Sequence, residues 1–208
     1  MSKSLDQIMK AMFSLLKESE KDLQLHEGLF QRLLQEDDWS FVIKTHALIE
    51  AAVSQQLAIA LDERLIDIFR HLELGDVRSG KIVFAESLGL LSKEECRYIQ
   101  KLSELRNTLV HDIRKTDFSF RAYFDALDKN QKKSFLDWIA GFSTEEARDQ
   151  WINNAKENAK IPIWLFAIRL VMHTSLTKIK ATLDRDIMKY AYQLMEIEQP
   201  ALPYENNR

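Results

Sequence analysis

The stretch SKEECRYIQKLSELRNTLVHDI, residues Ser92–Ile113, decides the fold class of this chain. It begins with a capping box, because the Ser92 hydroxyl can accept the Glu95 backbone N–H while the Glu95 carboxylate reaches back to Ser92. Large apolar residues then recur every three or four positions and form one stripe: Tyr98, Leu102, Leu105, Leu109 and Ile113. This spacing predicts an amphipathic α-helix from Ser92 roughly to Ile113.

The rest of the chain has the same helical pattern, and no segment alternates in the way a strand does. Only five Gly and three Pro interrupt it, so we expect an all-α fold. Helices are expected over about residues 4–25, after Gly28, over 40–71 with Asp62 as the candidate break, and over 82–88, 143–158, 162–183 and 190–197. The expected organisation is an N-terminal helical extension (1–38), a helical core (39–128), C-terminal helices packed on the core (129–199) and a loose tail (200–208).

Composition narrows the class of protein. The 208 residues carry a net charge of -3, which argues against binding nucleic acid over the whole surface. The single cysteine, Cys96, leaves no intramolecular disulfide and no Cys-based zinc site. The N-terminus lacks the features of a secretory signal, and the most apolar run, residues 161–172, is too short to span a bilayer. These features predict a cytoplasmic protein with no membrane partner.

The residues closest to a chemical signature are Arg106, Asn107 and His111, which have the form R-N-x-x-x-H. Arginine holds phosphate through a planar charged fork, and histidine exchanges a proton near neutral pH. At 100° per residue, Arg106 and His111 project about 140° apart on a regular helix. Either the helix therefore loosens near Val110, or a second copy of the chain completes the site.

Arg106 also has a structural interpretation, because it projects toward the apolar sector of its helix. A buried charge needs a partner. Glu50, beside the inner stripe of the 40–71 helix, is the first candidate, and Glu63 is the reserve. In this interpretation an Arg106–Glu50 ion pair fastens two helices. His46 and Glu50 also have the spacing of metal ligands, but no third ligand is evident and a core pair is favoured, so we expect neither a metal nor a cofactor.

A longer pattern surrounds the motif. The segment GKIVFAESLGLL, residues 80–91, precedes the helix, and Phe118-Ser119-Phe120 follows it. Together with the R-N-x-x-x-H late in a helix, this arrangement resembles the HEPN superfamily, and within it the mannitol-operon-repressor-like helical proteins. The resemblance covers about residues 41–124. It implies an HEPN-like helical bundle with helical extensions at both ends.

The resemblance implies two classes of function. Many members are metal-independent ribonucleases, often toxins, in which a two-fold dimer brings two motifs together over one cleft. In that case His111 would be the acid or base acting on the ribose 2′-hydroxyl, Arg106 would stabilise charge on the phosphate, and Asn107 would position either group.

Other members are inactive RNA-binding or protein-interaction modules. The likeness to the repressor type and the acidic charge balance favour this second class, a non-enzymatic regulatory or interaction module. We expect a homodimer with Asn107 and His111 near the interface, and RNA or a protein as the further partner.

Overall fold

The computed structural model describes residues 5–141 and 144–195, and the regular structure within these ranges is entirely helical. This confirms the all-α prediction. Two short 3-10 turns, Glu63–Leu65 and Ile113–Lys115, accompany the α-helices. The α-helices are α1 (Leu5–Asp22), α2 (Leu29–Gln35), α3 (Asp38–Ala60), α4 (Ile66–His71), α5 (Lys81–Ser87), α6 (Lys93–Val110), α7 (Phe120–Ala126), α8 (Lys129–Ile139), α9 (Arg148–Glu157) and α10 (Lys160–Leu194).

Helix α3 is the centre of the bundle, and α10 is its largest neighbour. Four of the five residues that the spacing places on the inner stripe of α3 are fully enclosed, Val42, Ile49, Val53 and Leu57, whereas the fifth, Ala60, is exposed at the end of the helix. Lys160 pairs with Asp38 at 3.0 Å, and Gln56 is bonded to His173 at 3.0 Å, so the two helices run in the same direction. The other faces of α3 pack against α4, α5 and α6.

The expected helix over 40–71 is broken close to Asp62, as predicted. Helix α3 ends at Ala60, and the Asp62 carboxylate accepts the Arg64 backbone N–H at 2.9 Å. That bond starts the 3-10 turn at Glu63–Leu65, after which α4 continues. A side chain that caps the next turn therefore stops the long helix.

Helix α6 begins at the predicted capping box and ends earlier than expected. The Ser92 hydroxyl accepts the Glu95 N–H at 3.2 Å, and the Glu95 carboxylate accepts the Ser92 N–H at 2.7 Å. The helix stops at Val110, with His111 as its C-terminal cap. Ile113, expected on the buried stripe, lies beyond the helix and is 86% exposed. The apolar pattern continued past the point where the backbone leaves the helix.

The C-terminal region differs from the expectation of two helices over 162–183 and 190–197. Helix α10 is continuous over 35 residues, and the part of the second prediction after residue 195 lies outside the described residues. The expected start at Ser143 also lies outside them, and α9 begins at Arg148. No single helix among the described residues is long and apolar enough to cross a bilayer, although α9 and α10 together pass that test as a pair bent by 117°.

The helices outside 39–128 belong to the same hydrophobic core as the central ones. Leu16 of α1, Phe30 of α2 and Ile163 of α10 are buried in one cluster with the side chains of α3 and α6. The Trp164 indole N–H donates to the Phe30 carbonyl at 2.7 Å, which fixes α2 on α10. The domain boundaries at 38 and 128 stay a prediction.

Candidate functional site

A cleft of about 560 Å³ lies between α3, α6 and the loop that precedes α5. Its size is within the usual range for ligand sites. We call it the motif cleft, because the R-N-x-x-x-H residues lie in its wall. Its lining is mostly polar and includes His46, Glu50, Glu73, Gly75, Asp76, Gln100, Ser103, Glu104, Arg106, Asn107 and His111.

All three residues of the motif line this one cleft in a single chain. A regular helix would point Arg106 and His111 about 140° apart. The helix ends at Val110, however, and His111 has the cap conformation φ -91°, ψ 0°. All three side chains reach this cleft from one chain, so no second copy is needed to bring them to it. Asn107 and His111 are exposed, and Arg106 is half-buried.

The predicted Arg106–Glu50 ion pair is wrong. The Glu50 carboxylate pairs with Lys81 Nζ at 2.7 Å, and the Lys81 side chain is only 1% exposed. Arg106 instead donates from Nη1 to the Asn107 side-chain oxygen at 3.0 Å. Among the described residues no carboxylate lies within 4 Å of the Arg106 guanidinium. The reserve partner, Glu63, lies 3.7 Å from Arg185. Because Arg106 is half-exposed, water solvates it and the fold needs no acidic partner for it.

The loop wall of the motif cleft is held by two glycines and one carboxylate. Asp76 accepts the backbone N–H of Arg78 at 2.7 Å, and these backbone bonds lower the pKa of Asp76 and keep it ionised. A Cβ on Gly75 would lie 2.8 Å from Ser103 Cβ, and one on Gly80 would lie 2.4 Å from the Asp76 carbonyl oxygen. Only glycine lets this loop approach α6 so closely.

His46 lies at the base of the cleft as a neutral side chain. It is buried, and burial lowers its pKa to about 4; Arg106 and Lys81 act in the same direction, while Glu50 opposes them. His46 Nε2 is 3.0 Å from Ser103 Oγ, and Ser103 donates its own proton to the Ile99 carbonyl at 2.9 Å. While Ser103 donates to Ile99, its oxygen can only accept from His46, so in that arrangement His46 carries its proton on Nε2.

Ser103, His46 and Glu50 lie next to one another as the serine, histidine and acid of a serine-hydrolase triad do. Their hydrogen bonds, however, do not have the donors and acceptors that such a triad needs. A nucleophilic serine must give its proton to the histidine, and Ser103 gives it to Ile99. His46 Nδ1 is 4.0 Å from Glu50, too far for a hydrogen bond. Ser103 is also buried, beneath the Gly75 loop. These three residues form a structural cluster and not a hydrolytic site.

No metal site is present in the described part of the chain. No group of three or more His, Cys, Asp or Glu side chains there could hold a metal ion. His46 and Glu50 lie one helical turn apart, as two metal ligands on a helix would, but the Glu50 carboxylate is already paired with Lys81. Cys96 is buried against the Ile82 carbonyl, and burial raises the pKa of its thiol to about 11. It is therefore protonated near neutral pH and is not an activated nucleophile.

The lining of the motif cleft is acidic. Four carboxylates contribute to it, those of Glu50, Glu73, Asp76 and Glu104, against the single guanidinium of Arg106. Lys81 neutralises Glu50 from behind, and Lys101 pairs with Glu104 at 2.8 Å. Glu73 and Asp76 form no ion pair among the described residues, although Arg78 lies near Asp76. Because Arg106 is the one Lys or Arg side chain in the lining, the lining itself favours cations.

Sequence reasoning missed Lys81 and Ser103, which support this site, and also Glu73 and Asp76, which line it. Lys81 follows Gly80 at the start of the segment that precedes α6, but nothing in its neighbours marks it as buried. Ser103 stands between apolar stripe residues, where a hydroxyl bonded to the carbonyl four residues earlier is common in helices. The signal for its role is the close approach of Gly75, which appears only in three dimensions.

The aromatic residues after α6 pack against one another, and some of them also line cavities: Phe120 and Phe124 line one of about 280 Å³, and Tyr123 lines another of about 290 Å³. Phe118 contacts Phe120 and Tyr123, with ring centroids 5.1 and 5.7 Å apart, and Phe124 contacts Phe135 at 5.7 Å. These edge and tilted contacts are typical of a structural cluster.

Comparison with known proteins gives no further assignment. No family model matches the chain, and no curated protein and no solved structure is significantly similar to it.

Proposed function

We propose that this chain is a non-enzymatic, HEPN-like interaction module whose motif cleft binds a basic segment of a partner protein. The acidic lining of the cleft carries this proposal, because like charges repel phosphate and opposite charges attract lysine and arginine. The cleft volume of about 560 Å³ suits one or two long side chains. The chain would act as a regulator where two such partner segments compete for this one cleft.

Arg106 has a role in this proposal that does not require chemistry. One of its N–H groups is bonded to Asn107, and the planar fork carries further donors. Those donors can bind a carbonyl oxygen of the partner's backbone while Glu73 and Asp76 receive its cationic side chains. The cleft thus supplies both donors and acceptors to an extended basic segment.

The test is a pair of fluorescence-anisotropy titrations of the native protein, one with a labelled lysine- and arginine-rich nonapeptide and one with a labelled single-stranded RNA. We expect the peptide to bind and the RNA not to bind. The Glu73→Gln/Asp76→Asn variant should bind the peptide about tenfold more weakly. The control variant Glu145→Gln/Glu157→Gln removes the same charge from exposed sites outside the cleft and should bind like the native protein. RNA binding without peptide binding would overturn the proposal.

A metal-independent ribonuclease is the second candidate. The observation that favours it is that Arg106, Asn107 and His111 line one cleft, with His111 exposed. A histidine that exchanges protons with a ribose 2′-hydroxyl must be accessible in this way. The acidic lining opposes this candidate, because Glu73 and Asp76 would repel the phosphate that Arg106 would have to bind.

A further inference from the structure

The two halves of α10 have opposite surroundings. Residues from Pro162 to Ser175 are largely buried in the bundle. From Leu176 onward the helix carries a row of large apolar side chains, each more than half exposed. We call this row the α10 stripe; its members are Leu176, Ile179, Leu183, Ile187, Tyr190 and Leu194.

The α10 stripe repeats every eleven residues. Its spacings are three, four, four, three and four, so that Ile187 stands eleven residues after Leu176, and Leu194 eleven after Leu183. Eleven residues in three turns give about 3.67 residues per turn, close to the 3.6 of a straight helix. The stripe therefore stays on one side of α10 along its whole length and presents a nearly straight apolar surface.

The opposite side of α10 faces the rest of the chain. Arg185, which projects about 160° away from Leu183, lies 3.7 Å from Glu63 in the turn after α3. The stripe therefore points away from the bundle. Toward the start of α10 the same face continues through Leu165, Ile168 and Met172, where the bundle covers it.

The size of the stripe is that of an interface. Scattered exposed apolar residues are normal, but six in a continuous row make a patch on the order of 600 Å², at the upper limit for monomeric proteins. A standard interface buries about 800 Å² on each partner. The stripe and its flanking residues approach that area, which is enough for a stable pair of helices.

We propose that the α10 stripe binds the same stripe of a second copy of this chain, antiparallel, in a two-fold dimer centred near Arg185. A two-fold interface uses one patch twice, so the patch must match its own reverse. The stripe does so, because about Arg185 the reversal places Leu176 opposite Leu194 and Leu183 opposite Ile187. This interface on α10 is a different one from that expected near Asn107 and His111, which lie on α6 and at its C-terminal cap.

The antiparallel direction follows from the position of the bundle. The bundle covers the stripe face at the start of α10, up to Met172. A parallel second copy would bring its own bundle to that same end, and the two would compete for one space. An antiparallel copy places the two bundles at opposite ends of the paired helices.

The oligomeric state of the full chain tests the location of the interface. Sedimentation equilibrium of the native protein at micromolar concentration should give twice the chain mass of 24.4 kDa. Leu183→Glu should give a monomer with unchanged helical content, because Leu183 is 58% exposed in the single chain. The control is Met188→Glu, which changes a residue of α10 that is 51% exposed but lies off the stripe. That variant should remain a dimer.

The direction of the helices is tested by a spin label on Gln193→Cys, an exposed position near the end of α10. In the antiparallel dimer the two labelled backbones should be about 25 Å apart, from the rise of 1.5 Å per residue. A parallel pair would place them within about 15 Å.

Three results would overturn the proposal: a native monomer, including one that binds anionic lipid vesicles through the stripe; a dimer that survives Leu183→Glu; and a short label distance. None of them bears on the motif cleft, so this proposal and the proposed function fail separately.

Discussion

Lys81 and Arg106 both lie at the motif cleft, and their surroundings are opposite. Lys81 is almost fully enclosed and pairs with Glu50, whereas Arg106 is half-exposed and bonded to the neutral Asn107. Arg106, the cation that belongs to the sequence motif, is thus not needed for the stability of the fold. Lys81, which lies outside that motif, fastens α5 to α3 through its ion pair with Glu50. The difference teaches that the burial of a charged group, not its place in a motif, decides whether it is structural.

The largest effect is expected when the enclosed Lys81 loses its acidic partner Glu50, whose own side chain is 34% exposed. Glu50→Gln leaves the Lys81 ammonium buried without a counter-charge, which typically costs about 3–5 kcal/mol. Urea unfolding of native and variant protein measures this difference. The double variant Glu50→Gln/Lys81→Met removes both charges and should recover most of the loss, because a buried pair can be replaced by apolar groups at little cost. A Glu50→Gln variant as stable as the native protein would show that the pair is not structural.

The next effect is the response of His46 to pH. Burial lowers the pKa of His46 from 6.5 to about 4 in the folded chain. Between these two pH values the unfolded chain binds more protons than the folded chain. The contribution of neutral His46 to the free energy of unfolding is therefore fully present above about pH 6.5 and is lost as the pH falls toward 4. The loss is on the order of 3 kcal/mol. His46→Gln should reduce the slope of unfolding free energy against pH in this window, and an unchanged slope would contradict the assignment of neutral His46.

The smallest effect is expected at Arg106. Because its guanidinium is half-exposed and has no acidic partner within 4 Å among the described residues, Arg106→Ala should cost less than about 1 kcal/mol. Thermal unfolding followed by circular dichroism measures the change. The sequence interpretation of Arg106 as a buried, paired charge predicts a severe loss instead. A severe loss would therefore restore that interpretation and remove the contrast with Lys81.

Much of the fold could be predicted because its signals are local. The Ser92 and Glu95 capping box, the break at Asp62 and the enclosed stripe of α3 depend on residues within a few turns of each other. The end of α6 could not be predicted in this way. Ile113 continues the apolar spacing, but the backbone leaves the helix at His111. The continuity of α10 was also missed, although its apolar residues keep helical spacing from Leu176 to Leu194.

The site was harder to predict because its partners are distant in the chain. Helical angles placed Arg106 toward the core, but they could not show that Lys81, 31 residues from Glu50, reaches that carboxylate first. The motif residues Arg106, Asn107 and His111 do line one cleft. The acidic character of that cleft comes partly from Glu73 and Asp76, whose position depends on the close packing of Gly75 on Ser103.

The most direct test of the claim that the motif cleft is an interaction site is incubation of the purified protein with mixed structured and unstructured RNA. The native chain and His111→Ala are compared between about pH 6 and 8, where a catalytic histidine would work. We predict that the RNA stays intact with both proteins. Cleavage by the native protein that His111→Ala abolishes, while the variant keeps its fold, would contradict the account and establish the ribonuclease in its place.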